Sequence, residues 1–365
     1  MTALLTAPTS LKDLFEKVRA GERLTPEDGT RLLEDGEVLS LGELAHEVRL
    51  RKHPEPIVTY IIDRNINPTN ICVTDCLFCA FYRKPGDEKE GYVLPRSVLY
   101  EKIEQLLEIG GVQLLMQGGH HPQLKVDWYA QLFRDIKERY PVHIHGLSPS
   151  EVDYIAKRSK LPLPEAIRIL HEAGLDSIPG AGAEILVDRV RRIISPKKIG
   201  PRRWLSVMRE AHRQGMRTTA TMMFGHVETL EERIQHLEEI RSLQDETGGF
   251  TAFIPWTCQP RHTPMEELMG SETATAIDYL KTLAVARIYL DNIDNFQASW
   301  VTQGGKIAQV SLHFGVNDFG SVMMEENVVS QAGASFRFTR GGIEDVIRAA
   351  GFEPRRRNMY YEILP

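Results

Sequence analysis

Cysteine is scarce in this chain: four residues among 365, three of them packed between positions 72 and 79 and the fourth, Cys258, alone. Such scarcity excludes a disulfide framework. Clustered cysteines point instead to metal binding or thiol chemistry in a reducing compartment, the cytoplasm. A basic surplus is lacking too. Forty-four Lys and Arg stand against 50 Asp and Glu, a formal net charge of −6, which argues against binding along a nucleic-acid backbone. The run Arg355, Arg356, Arg357 reads as a solvated patch. No stretch approaches the roughly 18 consecutive apolar residues of a membrane span. The opening MTALLTAPTSLKDLF lacks the basic start of a secretory signal, so no membrane partner is expected. What remains, 42% hydrophobic and 26% charged, is the composition of a soluble globular protein with a sizeable core.

The first fifty residues read as short helices, with Thr25-Pro26 as one start and Ser40 to Glu43 as a capping box. Beyond Pro56 the pattern alternates. Strands are expected at 57–63, 112–117, 142–145, 177–179, 218–224, 251–256, 297–300 and 310–314. Helices are expected between them at 97–109, 164–173, 201–214 and, long and amphipathic, 271–290; capping boxes at Ser148 and Thr229 open two more. Eight such repeats predict an α/β fold, a (β/α)₈ TIM-type barrel, with an open doubly wound sheet as the alternative. The pattern divides the chain into an N-terminal helical extension (1–53), the barrel (54–318) and a C-terminal extension closing it (319–365), all one unit.

The loops are lopsided. Helix-to-strand connections are terse glycine turns, whereas strand-to-helix connections carry NPTNICVTDCLFCAFYR, QGGHHP, HGLSPSE, PGAGAE, FGHVET, PWTCQP, SWVTQGG and GVNDFGS. In a parallel barrel these loops share the C-terminal face, where active sites of this architecture lie. The first holds Cys72, Cys76 and Cys79 in C-x₃-C-x₂-C spacing. Three thiolates can bind three irons of a four-iron, four-sulfur cube and leave the fourth open, whereas an electron-transfer cluster normally takes a fourth cysteine. A zinc site recruiting His120 or His121 is the alternative, although structural zinc loops usually pair cysteines two by two. His121 otherwise reads as an ordinary loop histidine, and Cys258 as a neutral buried thiol.

With Phe78 placed before Cys79, this motif resembles the signature of the radical S-adenosylmethionine superfamily. The resemblance implies a 4Fe-4S cluster whose open iron chelates S-adenosylmethionine. It also implies that Met116 to His120 contacts the methionyl group, through the backbone of Gly118 and Gly119; His120 stands where many members carry glutamate. Segments from about residue 54 to 351, among them QGGHHP, HIHGLSPSE, GLDSIPGAGAEIL, TTATMMFGHVET, QASWVTQG and NDFGSVMMEENV, resemble the futalosine-pathway radical enzymes of menaquinone biosynthesis. The likeness is greatest to the ring-closing members. It implies dehypoxanthine futalosine as the small-molecule substrate, and a reductase or a flavodoxin- or ferredoxin-type electron donor. Members that join two molecules, and a non-catalytic iron–sulfur or zinc protein, are the alternatives. On this resemblance Glu184 would take the methionyl ammonium and Arg189 the carboxylate. Tyr82 would pack on adenine, and Ser148 would approach the ribose or cap its helix. His226, Glu228 and Asp318 are the candidate bases. Glu228 otherwise serves a helix start, and Asp318 a turn. Trp300 and the segment Met323 to Glu326 would line the substrate cavity.

Overall fold

The computed structural model describes residues 9–271, 273–334 and 336–365. The first eight residues of the N-terminal extension, Glu272 of the expected 271–290 helix and Ser335 of the C-terminal extension lie outside the described residues. Among the described residues ten strands form: β1 (Ile57–Ile61), β2 (Asp63–Asn65), β3 (Gln113–Met116), β4 (His143–Gly146), β5 (Ser177–Ile178), β6 (Arg217–Phe224), β7 (Phe250–Thr257), β8 (Asn295–Phe296), β9 (Asp318–Ser321) and β10 (Glu353–Arg356). Strands β2 to β8 make one parallel sheet in sequence order, and β1 lies between β10 and β9 in a second. A parallel bridge from Gln297 to Asp318 joins β8 to β9, so the ring closes as a barrel. The expected first strand is thus one continuous run that changes partners at Ile62. Its lower half pairs with β10 and β9, and its upper half with β3.

Six of the eight expected strands fall within a residue or two of their places, and two are displaced. Residues 310–314 are the end of a helix, Trp300–Ser311, and the turn after it. The true eighth strand is β9, drawn from the segment read as a loop. A short apolar run such as VSLHF does not distinguish a strand from a buried helix end. The SWVTQGG segment misled in the same direction. Gly304, at φ 74°, kinks that helix without ending it, and a Cβ there would lie 2.8 Å from the Phe336 ring. The seventh strand is Asn295–Phe296, and Trp300 already belongs to the helix. Residue 318, where the sequence pattern ends the barrel, lies inside its closing strand.

The helical layer is built from ordinary signals. Thr25, Ser148 and Thr229 each accept the N–H three residues on and receive a reciprocal carboxylate from that residue. Ser40 does not cap; it lies buried inside the helix Val38–Lys52, because the turn starts earlier, at Glu37. The expected long amphipathic helix is shorter, Ala276–Tyr289, and nearly all its second half is buried. It is sandwiched between β7 and the helix Val38–Lys52, so both faces need apolar residues. The N-terminal helices therefore pack on the barrel's flank. Arg49 ties them to it by donating to Val316 O (3.1 Å) and Ile57 O (2.8 Å). Among the described residues no helix is long and apolar enough to cross a membrane.

The C-terminal segment runs under the barrel. After the helix Arg340–Ala349, β10 adds beside β1, and Arg356 reaches Gly110 O just before β3. The Tyr360 ring meets His143 at the start of β4 edge-on, 5.5 Å between centroids. On the opposite flank, a Cβ on Gly42 would stand 2.6 Å from the Phe314 ring. Gly42→Ala should lower the unfolding free energy by about 1–2 kcal/mol, despite the roughly 1 kcal/mol helix advantage of alanine. In a Phe314→Leu background the same change should be neutral or stabilising, as equilibrium chemical unfolding would record.

Candidate active site

The loop after β2 is pinned before it offers its cysteines. Thr69 Oγ1 donates to Tyr92 O (2.6 Å), and Asn70 bonds Glu90 O (2.8 Å) and Tyr92 N (2.9 Å). Cys72 N donates to Arg83 O, and Cys79 N to Cys76 O. Cys72 and Cys76 are buried and Cys79 is half-buried, and all three line one cavity of ≈ 390 Å³ at the C-terminal ends of the strands. Burial pushes the Cys76 thiol up to about 12. The residues fit an iron–sulfur cube. Among the described residues no three His, Cys, Asp or Glu groups are spaced for a single metal ion, whereas the thiolates of a cube each meet a different iron.

Gly118 and Gly119 have a sharper reason than ligand approach. A Cβ on Gly119 would stand 2.2 Å from Ile71 O and 2.9 Å from Cys72 Cβ; one on Gly118 would stand 2.9 Å from Thr69 O. The glycines let the second loop press against the cysteine loop itself. Gly119 N donates to Thr69 O, and Val73 N to His120 O. Gly118 N is taken by Glu151 Oε1 (2.8 Å), the carboxylate that also closes the Ser148 capping box. His120 is buried and stacked on Tyr154 (4.8 Å, 22°), and burial pushes it down to about 3, so it is neutral. His121 Nδ1 accepts from Gln123 N at 3.1 Å and is satisfied within its loop. Cys258 is fully buried away from the cavity wall, its thiol raised to about 12 by burial.

The cavity wall brings together Phe78, Tyr82, Gly118, Gly119, His120, Ser148 and Glu184 with the three cysteines. Glu184 sits at φ 43° and accepts from Lys198 Nζ (2.9 Å) and Arg191 (3.4 Å). These two cations outweigh its burial and hold its carboxyl below the usual range. Arg189 is not with them. Its side chain is 47% exposed, donates to Glu232 (2.7 Å) and Val227 O (2.6 Å), and points away from the cavity. The cation beside Glu184 on the wall is Lys198, 5.2 Å over the Phe78 ring, its pKa raised despite burial by the negative charge of the Cys76 sulfur when it is a thiolate and of the Glu184 carboxylate. Its only sequence signal was a position shortly after PGAGAE, in a stretch that reads as surface.

None of the three candidate bases lines the cavity. His226 accepts from Val227 N through Nδ1 and bonds Met223 O through Nε2. Glu228 accepts the N–H groups of Gly225 (2.6 Å) and His226 (2.9 Å) and pairs with Arg233 (2.9 Å). Asp318 is fully buried and held by Arg357 (2.9 Å), Thr59 (2.5 Å) and Gly320 N (2.9 Å). Local turn and strand structure consumes their hydrogen-bonding capacity. The reverse holds for Arg357, expected in a solvated patch: it is 3% exposed and lines the cavity with Met359 and Tyr361. Trp300, Met323 and Glu326 also line it as expected, whereas Met324 and Glu325 do not; Glu325 pairs instead with Arg64 (2.9 Å) and Lys102 (2.6 Å). Asp63, Gln113, His145 and Ser321 are further wall residues that sequence reasoning missed; alternating strand positions carry no mark of which face they present.

A closed parallel barrel with three convergent thiols at its C-terminal mouth defines the class: an enzyme that holds an iron–sulfur cluster above a buried substrate cavity. Residues 66–240 match the radical SAM superfamily, and residues 247–365 match the CofH/MqnC C-terminal region. The cyclic dehypoxanthine futalosine synthase of Halalkalibacterium halodurans is 48% identical over 97% of this chain and 95% of its own. The 5-amino-6-(D-ribitylamino)uracil–L-tyrosine 4-hydroxyphenyl transferase of Methanococcoides burtonii is 42% identical over 93% and 96%. The crystal structure of methylornithine synthase shares the fold, with a TM-score of 0.73 at 19% identity over 94% of this chain and 97% of that one. The chain belongs to the radical SAM superfamily, and within it to the group that contains the futalosine synthases.

Glu228 gives a stability test. Its pKa is pushed down to about 2: burial opposes ionisation, but the His226 ring, the Arg233 guanidinium and Gly225 N–H prevail. A depressed folded pKa contributes stability that is present above the unfolded value and lost as pH falls through the folded one. Wild type should therefore lose on the order of 3 kcal/mol between about pH 5 and 2 from this group. Glu228→Gln should be less stable at pH 7 and flatter across that window in urea titrations.

Proposed function

We propose that this enzyme closes dehypoxanthine futalosine into its cyclic product on the futalosine route to menaquinone. The observation that carries the reading is the full-length similarity to a named cyclic dehypoxanthine futalosine synthase, joined to three thiols that converge on one cavity. Cys72, Cys76 and Cys79 hold a 4Fe-4S cluster, and a reductase, flavodoxin or ferredoxin delivers its electron. The cluster and S-adenosylmethionine, when bound, supply a 5′-deoxyadenosyl radical.

The protein's part is binding, orientation and exclusion of water. Glu184 takes the methionyl ammonium and Lys198, in place of Arg189, the carboxylate, a charge arrangement that suits an amino acid. Phe78 and Tyr82 supply flat apolar surface beside the cysteines, and Ser148 serves chiefly as a helix cap. Seating the substrate below keeps its ribose carbon 4 within reach of the radical and its benzoate ring close to that carbon. One hydrogen leaves with 5′-deoxyadenosine; the other leaves the ring as a proton, and the electron released with it offsets the one consumed in cleaving S-adenosylmethionine, so S-adenosylmethionine is the net oxidant and leaves as methionine and 5′-deoxyadenosine.

Anaerobic reconstitution followed by incubation with S-adenosylmethionine, reductant and dehypoxanthine futalosine tests the reading. We expect 5′-deoxyadenosine in step with a product two hydrogens lighter by mass spectrometry. Deoxyadenosine without that product would remove the substrate and leave the radical class. Alanine at Cys72, Cys76 or Cys79 should abolish cleavage, and full turnover by Cys76→Ala would overturn the ligand set.

A further inference from the structure

The lower part of the cavity holds polar groups that the cysteines and the Glu184–Lys198 pair leave unexplained. Asp63 projects from β2, Gln113 from β3 and Ser321 from β9, and all three line the cavity while each is at most 5% exposed. The Asp63 carboxylate accepts from the Ser321 hydroxyl on one oxygen and from Gln113 Nε2 (3.1 Å) on the other. Gln113 therefore spends its amide donor on Asp63. Its carbonyl Oε1 is buried and has no partner, an acceptor taken out of water with nothing to receive. A buried acceptor left in this state costs on the order of 1–3 kcal/mol, so a donor from a ligand is the natural complement.

The charges nearby decide what kind of ligand. Arg357 faces this region, and three of its five N–H groups are engaged: Nε and one terminal nitrogen donate to Asp318 (2.5 and 2.9 Å) and the other terminal nitrogen to Asn358 O (3.0 Å). His145 is buried with its pKa pushed far down by burial and by Arg357, and so brings no charge. Burial raises Asp63 to about 6, against the pull of Ser321, Gln113 and Arg357, and leaves it ionised at neutral pH. Two carboxylates, Asp63 and Asp318, thus stand against one guanidinium that is already paired with Asp318. A third anion would be repelled here, whereas a neutral group rich in O–H donors is attracted.

We propose that Asp63 and Gln113 form an acceptor pair that receives the hydroxyl groups of the substrate's sugar, placing its neutral end at the cavity floor. The proposal rests on the substrate reading given above and adds the orientation of that substrate. Asp63 and Gln113 are binding and specificity residues. A site built to accept a hydroxyl rejects the analogue that lacks it, because its own acceptors are left unpaired.

Calorimetric titration of the reconstituted, unreduced enzyme reads this without turnover. The probes are dehypoxanthine futalosine and its 2-deoxy and 3-deoxy ribose analogues. Wild type should bind the parent on the order of 10- to 100-fold more tightly than at least one deoxy analogue. Asp63→Asn and Gln113→Leu should weaken parent binding by a similar factor and lose most of that discrimination, with S-adenosylmethionine binding unchanged. Variants that keep both parent affinity and full discrimination would overturn the acceptor pair alone. Wild type that binds none of the three would overturn the substrate reading and this proposal together. Should Asp63→Asn fail to fold, Gln113→Leu decides, since it removes the unpartnered acceptor and leaves the buried carboxylate bonded to Ser321.

Discussion

The pair between Arg357 and Asp318 is the interaction on which the lower half of this molecule depends. Asp318 opens the closing strand, accepts from Thr59 on the first strand, and bridges to the seventh through its backbone. Arg357 arrives from the C-terminal segment and lies 4.0 Å over the Tyr361 ring. One bidentate contact therefore joins both edges of the barrel seam to the segment beneath it. Both partners are almost wholly withdrawn from water, at 0% and 4% side-chain exposure. Removing either would strand the other as an unpaired buried charge, a loss of about 3–5 kcal/mol. The same contact sets the Arg357 charge against Asp318, which is why the cavity floor carries little net positive charge.

The upper half depends on backbone contact instead. Cysteine-loop and glycine-loop backbones touch without side chains between them, through Ile71 O, Thr69 O and the two glycines. Each side fixes the other, and with it the loop that carries the thiols. Preorganisation of this kind lets a site hold its geometry with ligands drawn from a flexible element. Glu151 extends the arrangement one strand further. A single carboxylate closes the Ser148 cap and receives Gly118 N–H, coupling the second and third loops.

Local chemistry explains what the sequence made legible. The cysteine spacing, the helix start at Thr25, the capping boxes at Ser148 and Thr229 and the alternation of strands with helices are all short-range patterns that match the fold, whereas the box read at Ser40 does not. Long-range facts were not legible. Arg357 reads as one of three like neighbours, yet strand alternation in β10 and the bend after it carry this one inward while Arg355 stays outside. Arg189 has the spacing expected of a ligand group, but Glu232 on the next helix captures it, and Lys198 stands on the wall in its stead. Residues 310–314 look like a strand because a helix end and the turn after it can carry the same short apolar run, here with Ser311, Leu312 and Phe314 buried and Val310 and His313 exposed.

The chain divides its labour along its length. Residues 66–240 bring the cysteines, the two glycines, Glu184 and Lys198 to the wall; residues 247–365 bring Trp256, Trp300, Ser321, Met323, Arg357 and Tyr361. Asp63 and Gln113 lie where the two sets meet, on the first and second strands against the closing one. Relatives that share 42–48% of their residues with this chain are named for different reactions, so the framework tolerates a change of substrate. The cysteine and glycine loops leave no room for such a change, because a single added Cβ at Gly119 would meet backbone at 2.2 Å. The floor is built from side chains on strand ends and on the C-terminal segment, where exchange of one polar group alters the donor and acceptor pattern without moving the barrel. The strand-end floor, on the side away from the thiols, is therefore the part of the wall that a side-chain exchange alters with least disturbance to the cysteine loop.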